Sequence, residues 1–129
     1  MSVDTVNRRV CNELFDALER GDVDTIDRLY ADDMVMWFNV SNQETSREEN
    51  LRAIRDGASL HRRRTYDDRQ IRTFHDGFVA QYTCRVVAHN GAAVPLSACL
   101  VGKVYDGKIV RLDEYLDMGR FLPARGAGQ

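Results

Sequence analysis

Apolar residues recur along the first turns of the chain at Val3, Val6, Val10, Leu14 and Leu18, with Cys11, Phe15 and Ala17 beside them. That spacing predicts an amphipathic helix over Val3–Arg20. Gly21 suits a left-handed cap. Asp22 can cap a second, short helix carrying Val23, Ile26, Leu29 and Tyr30, which "ADD" would stop. "MVMWFNV" (34–40) is rich in strand formers, with Met34, Met36 and Phe38 on one face and Val35, Trp37 and Asn39 on the other. Ser46-Arg47-Glu48-Glu49 matches a reciprocal capping box. The helix it opens carries Leu51, Ile54 and Ala58 and ends near Leu60.

Beyond Arg62 the pattern becomes that of strands, roughly 63–74, 78–89, 94–105 and 108–118. Asp76-Gly77, Asn90-Gly91 and Asp106-Gly107 separate them, all strong hairpin signals. Helices first and strands later predict an α+β domain with helices on one face of the sheet. One domain is expected over 1–123, with ARGAGQ (124–129) a disordered tail.

In "IVRLDEYLD" (109–117), one strand face reads Val110, Leu112, Glu114, Leu116. A carboxylate on an apolar face is a candidate acid or base, because desolvation raises its pKa. Two-residue turns at Asp106-Gly107 and Asn90-Gly91 would place Glu114 opposite Cys99 and Cys99 opposite Tyr82. The row Tyr82, Cys99, Glu114 would then share a face with Ala80, Cys84, Val86, Ser97, Val101, Leu112 and Leu116; a looser turn over Asn90–Ala93 would put Cys84 in the row instead and keep Tyr82 on the same face. Tyr82 could donate a hydrogen bond to Glu114 or to a ligand. Asn39 is the other polar candidate, an amide able to orient water or substrate, and Trp37 is expected to line the cavity wall. The opposite face mixes Gln81, Thr83, Arg85 and Lys103 with Val79, Val87 and Leu100, and this suggests a homodimer through the sheet.

Charge and cysteine usage narrow the classes. A net charge of −2 argues against general nucleic-acid binding, and the run Arg62-Arg63-Arg64 reads as a solvated strand start. Three widely spaced cysteines, Cys11, Cys84 and Cys99, fit reduced thiols rather than a disulfide framework or a zinc site. No apolar run reaches the roughly 18 residues of a membrane span, and the N-terminus lacks a signal-peptide core, so the cytoplasm is expected. His61, His75 and His89 lie beside turns or a helix end and read as solvent-facing.

"ALERGDVDTIDRLYADDMVMWFN", the capped helix after it and "VYDGKIVRLDEYLD" resemble the nuclear transport factor 2-like superfamily, which includes SnoaL-like polyketide cyclases, ketosteroid isomerases and limonene epoxide hydrolases. The resemblance covers about residues 6–121 and implies a cone of three N-terminal helices packed on a curved, mixed, mainly antiparallel β-sheet. It does not choose among that superfamily's many functions. The isomerases' tyrosine and two aspartates fall on Leu14, Val101 and Phe38, all apolar, which argues against that mechanism. The epoxide hydrolases' Tyr-x-Asn falls on Trp37-Phe38-Asn39 and their last-strand aspartate on Glu114. Their Arg-x-Asp falls near Cys84-Arg85-Val86 and lacks its counterpart. The acid/base aspartate of SnoaL-type cyclases corresponds to Glu114 or Asp117. Two expectations stand beside each other. One is a cofactor-independent isomerase, cyclase, dehydratase or hydrolase acting on a small apolar oxygenated molecule, with Glu114, Asn39 and Tyr82 as catalytic candidates. Its cavity would be lined by Leu14, Phe15, Trp37, Phe38, Cys84, Cys99, Val101, Leu112 and Leu116. The other is a non-catalytic ligand-binding or dimerisation module of the same fold.

Overall fold

A computed structural model describes residues 1–60, 63–87 and 90–119, with the side chains of 58–60 left aside. Expectations for His61, Arg62, His89, Ala58, Leu60 and the tail from 120 onward lie outside the described residues or side chains. Helices α1 (Val3–Arg20) and α2 (Val23–Leu29) precede β1 (Tyr30–Phe38) and β2 (Gln43–Ser46). Helix α3 (Arg47–Leu60) follows, then β3 (Arg63–Phe74), β4 (Gly77–Val87), β5 (Ala93–Tyr105) and β6 (Lys108–Leu116). Among the described residues the protein is thus α+β, with three helices and one six-stranded mixed sheet.

Local chemistry explains the helix ends. Gly21 takes the left-handed conformation (φ 68°) and closes α1, with Asp22 N–H donating to the Ala17 carbonyl. Asp22 then accepts from the Thr25 N–H and hydroxyl, and these bonds, with Arg20, hold its carboxyl down at about 2. The capping box closes as expected: Ser46 N–H donates to Glu49, and Glu49 N–H donates to the Ser46 hydroxyl, 3.0 and 3.2 Å.

The sheet runs β2-β1-β6-β5-β4-β3, with β1 and β6 parallel and every other pair antiparallel. Strand β1 begins at Tyr30, not Met34. "ADD" does not stop a helix there but lies in an irregular stretch of strand between the pairs Tyr30–Ile109 and Val35–Arg111. The short edge strand β2 carries no apolar pattern and was not anticipated.

Two of the three hairpin expectations need correction. Asp106-Gly107 forms the predicted turn with both φ positive (51° and 75°). Between β3 and β4, however, the turn residues are His75-Asp76, and Gly77 is the first residue of β4. A side chain at Gly77 would collide with the Gly102 carbonyl, and one at Gly102 with the ring of the fully buried Phe78. Here glycine serves close strand approach, not turning. Strand β4 ends at Val87 and β5 starts at Ala93, so no two-residue turn sits at Asn90-Gly91.

These corrections change the register. Val104 pairs with Ile109, but Lys103 pairs with Arg111, so Val110 is an extra residue in β6. Beyond this bulge Glu114 pairs with Leu100, and Leu100 with Ala80. The β5 alternation is therefore opposite to that expected: Leu96 and Leu100 are buried against the helices, while Cys99 and Val101 lie on the outer face. Cys84 pairs with Leu96 and belongs to the inner face, so it does not share a face with Cys99.

The core lies between this inner face and the helices, around Phe15, Phe78, Leu14, Ile26, Met34, Leu100, Ile109 and Leu112. Asn7, buried within the α1 stripe, donates to the Phe74 and Gly77 carbonyls and pins α1 to the β3–β4 hairpin. Strand β3 bulges at Asp68-Arg69, where Asp68 has φ 56°. Arg69 reaches from this bulge to Asn12 and Asp16 on α1, and Glu19 accepts the Tyr66 N–H at 2.7 Å. The bulge lets β3 bend around α1 and keeps Tyr66 turned inward.

Candidate functional site

A cavity of about 610 Å³ lies between the inner sheet face and the helices, a size typical of small-ligand sites. Its closed end is formed by Leu14, Phe15, Leu100 and Leu112, all buried. Its other end reaches the exposed Asn90 and Ala92 and the half-buried Val94 and Met118. Helix α3 supplies one wall through Asn50, Ala53 and Ile54. Phe15, Tyr66 and Tyr82 form a connected aromatic cluster, with ring centroids 4.7–5.7 Å apart.

Glu114 projects into this cavity from β6. Its Oε2 accepts a hydrogen bond from the Tyr82 hydroxyl at 2.7 Å. Among the described residues Oε1 has no hydrogen-bond partner, and Glu114 lines the cavity wall. Burial pushes the Glu114 pKa above the ordinary carboxylate value, and the Tyr82 hydrogen bond and the Arg64 charge only partly oppose this. Burial and the Glu114 charge in turn push the Tyr82 phenol far up, so Tyr82 acts as a proton donor in a hydrogen bond and stays neutral.

Around this pair sit polar groups that the sequence pattern did not single out. Tyr30 and Asn50 are almost wholly buried, and the Tyr30 hydroxyl donates to Asn50 Oδ1 at 2.7 Å. The Asn50 amide points at the Met36 sulfur, 3.1 Å away. Arg64 enters from β3 with Nη1 3.5 Å from the Tyr66 hydroxyl. The Cys84 thiol also lines the wall, and burial pushes it up to about 11, which makes it a poor nucleophile.

Of the expected site residues, Glu114, Leu14, Phe15, Phe38, Cys84, Leu112 and Leu116 line the cavity, and Tyr82 meets Glu114 at its edge. Four do not. Cys99 and Val101 face outward because of the bulge at Val110. Trp37 lies on the outer face, its ring edge-on to Tyr115 and its N–H on Asn42. Next to Trp37 in β1 the buried residues are Met34 and Met36, so the inner face of the strand is the one opposite to Trp37. Asn39 lies past the end of β1 and is exposed. Its amide bonds both polar groups of the Leu116 backbone, and its N–H donates to the Glu114 carbonyl. Asn39 therefore extends the parallel ladder and fixes the backbone that carries Glu114. Asp117, the alternative carboxylate, is exposed and caps the Gly119 N–H. The basic run is not uniformly solvated either, since Arg64 is half-buried at the cavity.

Among the described residues no cluster of three or more His, Cys, Asp or Glu is placed to hold a metal, and no helix is long and apolar enough to cross a membrane.

Comparison with curated proteins finds no match. Solved structures share the fold. A candidate polyketide cyclase from Xanthomonas campestris pv. campestris superposes with a TM-score of 0.84 at 19% identity, covering 93% of this chain and 96% of that one. A candidate SnoaL-like polyketide cyclase from Jannaschia sp. CCS1 gives 0.81 at 17% identity, covering 98% and 96%. An LEH-like epoxide hydrolase from M. tuberculosis gives 0.76 at 22% identity, covering 90% and 86%. The SnoaL-like domain family matches residues 12–112, and the chain belongs to that family, within the nuclear transport factor 2-like superfamily.

Proposed function

We propose that the cavity binds a small apolar molecule bearing oxygen, and that Glu114 moves a proton to or from it without a cofactor. The observation that carries this reading is the setting of the Glu114 carboxyl: Oε2 is held by Tyr82, Oε1 has no partner among the described residues, and Glu114 lines an apolar cavity. A carboxyl whose pKa is raised above the ordinary value takes up a proton more readily, as a general base or acid must. Isomerisation, cyclisation, dehydration and hydration all need such a transfer. Tyr82 orients the group, and Phe15, Leu100 and Leu112 shield it from bulk water.

The cavity is not plugged by Trp37, which favours a ligand-binding role over a purely structural one. Family membership supports the class of activity, and relatives of this fold include proteins described as cyclases and an epoxide hydrolase. Screening lipophilic ketones, epoxides and polyketides with wild type and Glu114→Gln tests the reading. Turnover lost in Glu114→Gln with ligand binding retained is the expected result. Turnover unaffected by that substitution removes the assignment, and binding without turnover in either protein favours the non-catalytic alternative.

A homodimer through the outer sheet face is part of the same proposal. Val79, Val101, Trp37 and Cys99 are half-buried there without a covering layer among the described residues. Sedimentation at several concentrations is expected to show a dimer, and a persistent monomer would sink this part.

A further inference from the structure

Arg64 stands out among the cavity residues because its charge has no carboxylate partner. Other arginines without an ion pair among the described residues, such as Arg8, Arg28 and Arg72, are exposed, whereas Arg64 is half-buried and lines the cavity. Among the described residues its one hydrogen bond is the long 3.5 Å contact from Nη1 to the Tyr66 hydroxyl. The Nη2 nitrogen lies beside Gly57 of α3, where a side chain would approach it to 4.0 Å. Among the described residues Nε and Nη2 have no hydrogen-bond partner. A half-buried guanidinium with unused donors at the wall of an apolar cavity can bind an acceptor that arrives there.

We propose that Arg64, with the Tyr66 hydroxyl, recognises an acidic oxygen on the ligand, so that the natural ligand is an apolar body ending in a carboxylate or an acidic enol. The inference rests on the reading of the cavity as a ligand pocket and adds its specificity. Arg64 belongs to the sheet row Arg64–Val86–Val94, next to the cavity's exposed end at Asn90 and Ala92. A ligand anchored there lays its apolar part along Tyr66 and Phe15 toward Glu114. The fork of the guanidinium matches two-point contact with either kind of oxygen. Arg64 also lies close enough for its positive charge to act on Glu114 and Tyr66. A ligand anion that neutralises Arg64 would therefore be felt at the candidate proton-transfer group.

The test uses three two-ring probes titrated calorimetrically into the protein: naphthoate, the acidic enol of an acetyltetralone, and uncharged methylnaphthalene. Wild type is expected to bind naphthoate or the enol about tenfold or more tightly than methylnaphthalene. Whichever of the two is preferred names the source of the acidic oxygen. Arg64→Met should abolish the preference while methylnaphthalene still binds, which also reports that the variant is folded. Arg64→Lys, which keeps the charge and loses the fork, should retain part of it and serves if Arg64→Met does not fold. Equal binding of charged and uncharged probes to wild type, or a preference that survives Arg64→Met, would overturn the role of Arg64 but not the pocket. Binding of no probe would overturn both.

Discussion

The Tyr82 hydroxyl donates to Glu114 Oε2 across 2.7 Å, although β4 and β6 are separated by β5. Tyr82 pairs with Ala98 and Glu114 with Leu100, so the phenol crosses one sheet position diagonally and passes over a small residue to reach the carboxyl. This hydrogen bond favours the charged carboxylate, against the stronger effect of burial. Tyr82→Phe should therefore raise the Glu114 pKa further and lower stability by about 1 kcal/mol. A carbon-13 titration of the glutamate side chains, with Glu114→Gln to assign the signal, reads the shift. A lower pKa in Tyr82→Phe would contradict this assignment of forces.

Stability should depend on pH through the same group. Because folding raises the Glu114 pKa, the folded state binds its proton more tightly than the unfolded chain does. The contribution is complete below the unfolded carboxyl value, about 4.3. It is lost as pH rises through the folded pKa. Glu114→Gln keeps an acceptor for Tyr82 and removes the buried charge, so at pH 7 it should be more stable than wild type by about 0.5–2 kcal/mol. Urea denaturation of both proteins at several pH values should show the advantage of Glu114→Gln growing with pH. Asp22 acts in the opposite sense, its contribution being lost as pH falls toward about 2. The difference between the two proteins cancels it.

Gly102→Ala should destabilise the sheet. The added methyl would overlap the ring of Phe78, which is fully buried and cannot swing away. Overpacking of this kind costs about 1–3 kcal/mol, and thermal denaturation should report it. A neutral outcome would mean that β4 and β5 can part without cost.

Ser46→Ala and Glu49→Ala should each weaken α3 by about 0.5–2 kcal/mol. The double variant should cost less than the sum, because the two residues satisfy each other's backbone donors. Since Asn50 and Ile54 bring α3 to the cavity, methylnaphthalene binding should weaken with helix stability. Strict additivity of the two substitutions would argue against a reciprocal box.

The parts that were legible in the sequence are those decided locally. Gly21, Asp22, Ser46 with Glu49, and Asp106-Gly107 act within a few residues of themselves, and each does in the fold what its chemistry suggests. Glu114 and Tyr82 were legible too, because alternation along β6 and β4 places both on the inner face. What was lost depended on contacts distant in sequence. The extra residue at Val110 moves Leu100 inward and Cys99 and Val101 outward, and nothing in the hydrophobic pattern of β5 distinguishes the two registers. Trp37 is larger than Met36, but the helices cover the Met36 side. Asn39 reads as a polar candidate for water or substrate, yet its amide is taken up by the Leu116 backbone, a strand that becomes its neighbour only through a parallel crossover. Arg64 looks like any member of a basic run until the β3 bulge and the inward Tyr66 turn it toward the cavity.

Glu114 is expected to transfer protons to and from a bound ligand. The direct measurement is deuterium incorporation at the carbon beside the carbonyl of a bound lipophilic ketone such as tetralone, followed by proton NMR in heavy water. Wild type should accelerate the exchange above the buffer rate, and Glu114→Gln should return it to that rate while still binding the ketone. Exchange that is equally fast in both proteins, or no acceleration by a wild type that binds the ketone, would contradict the claim.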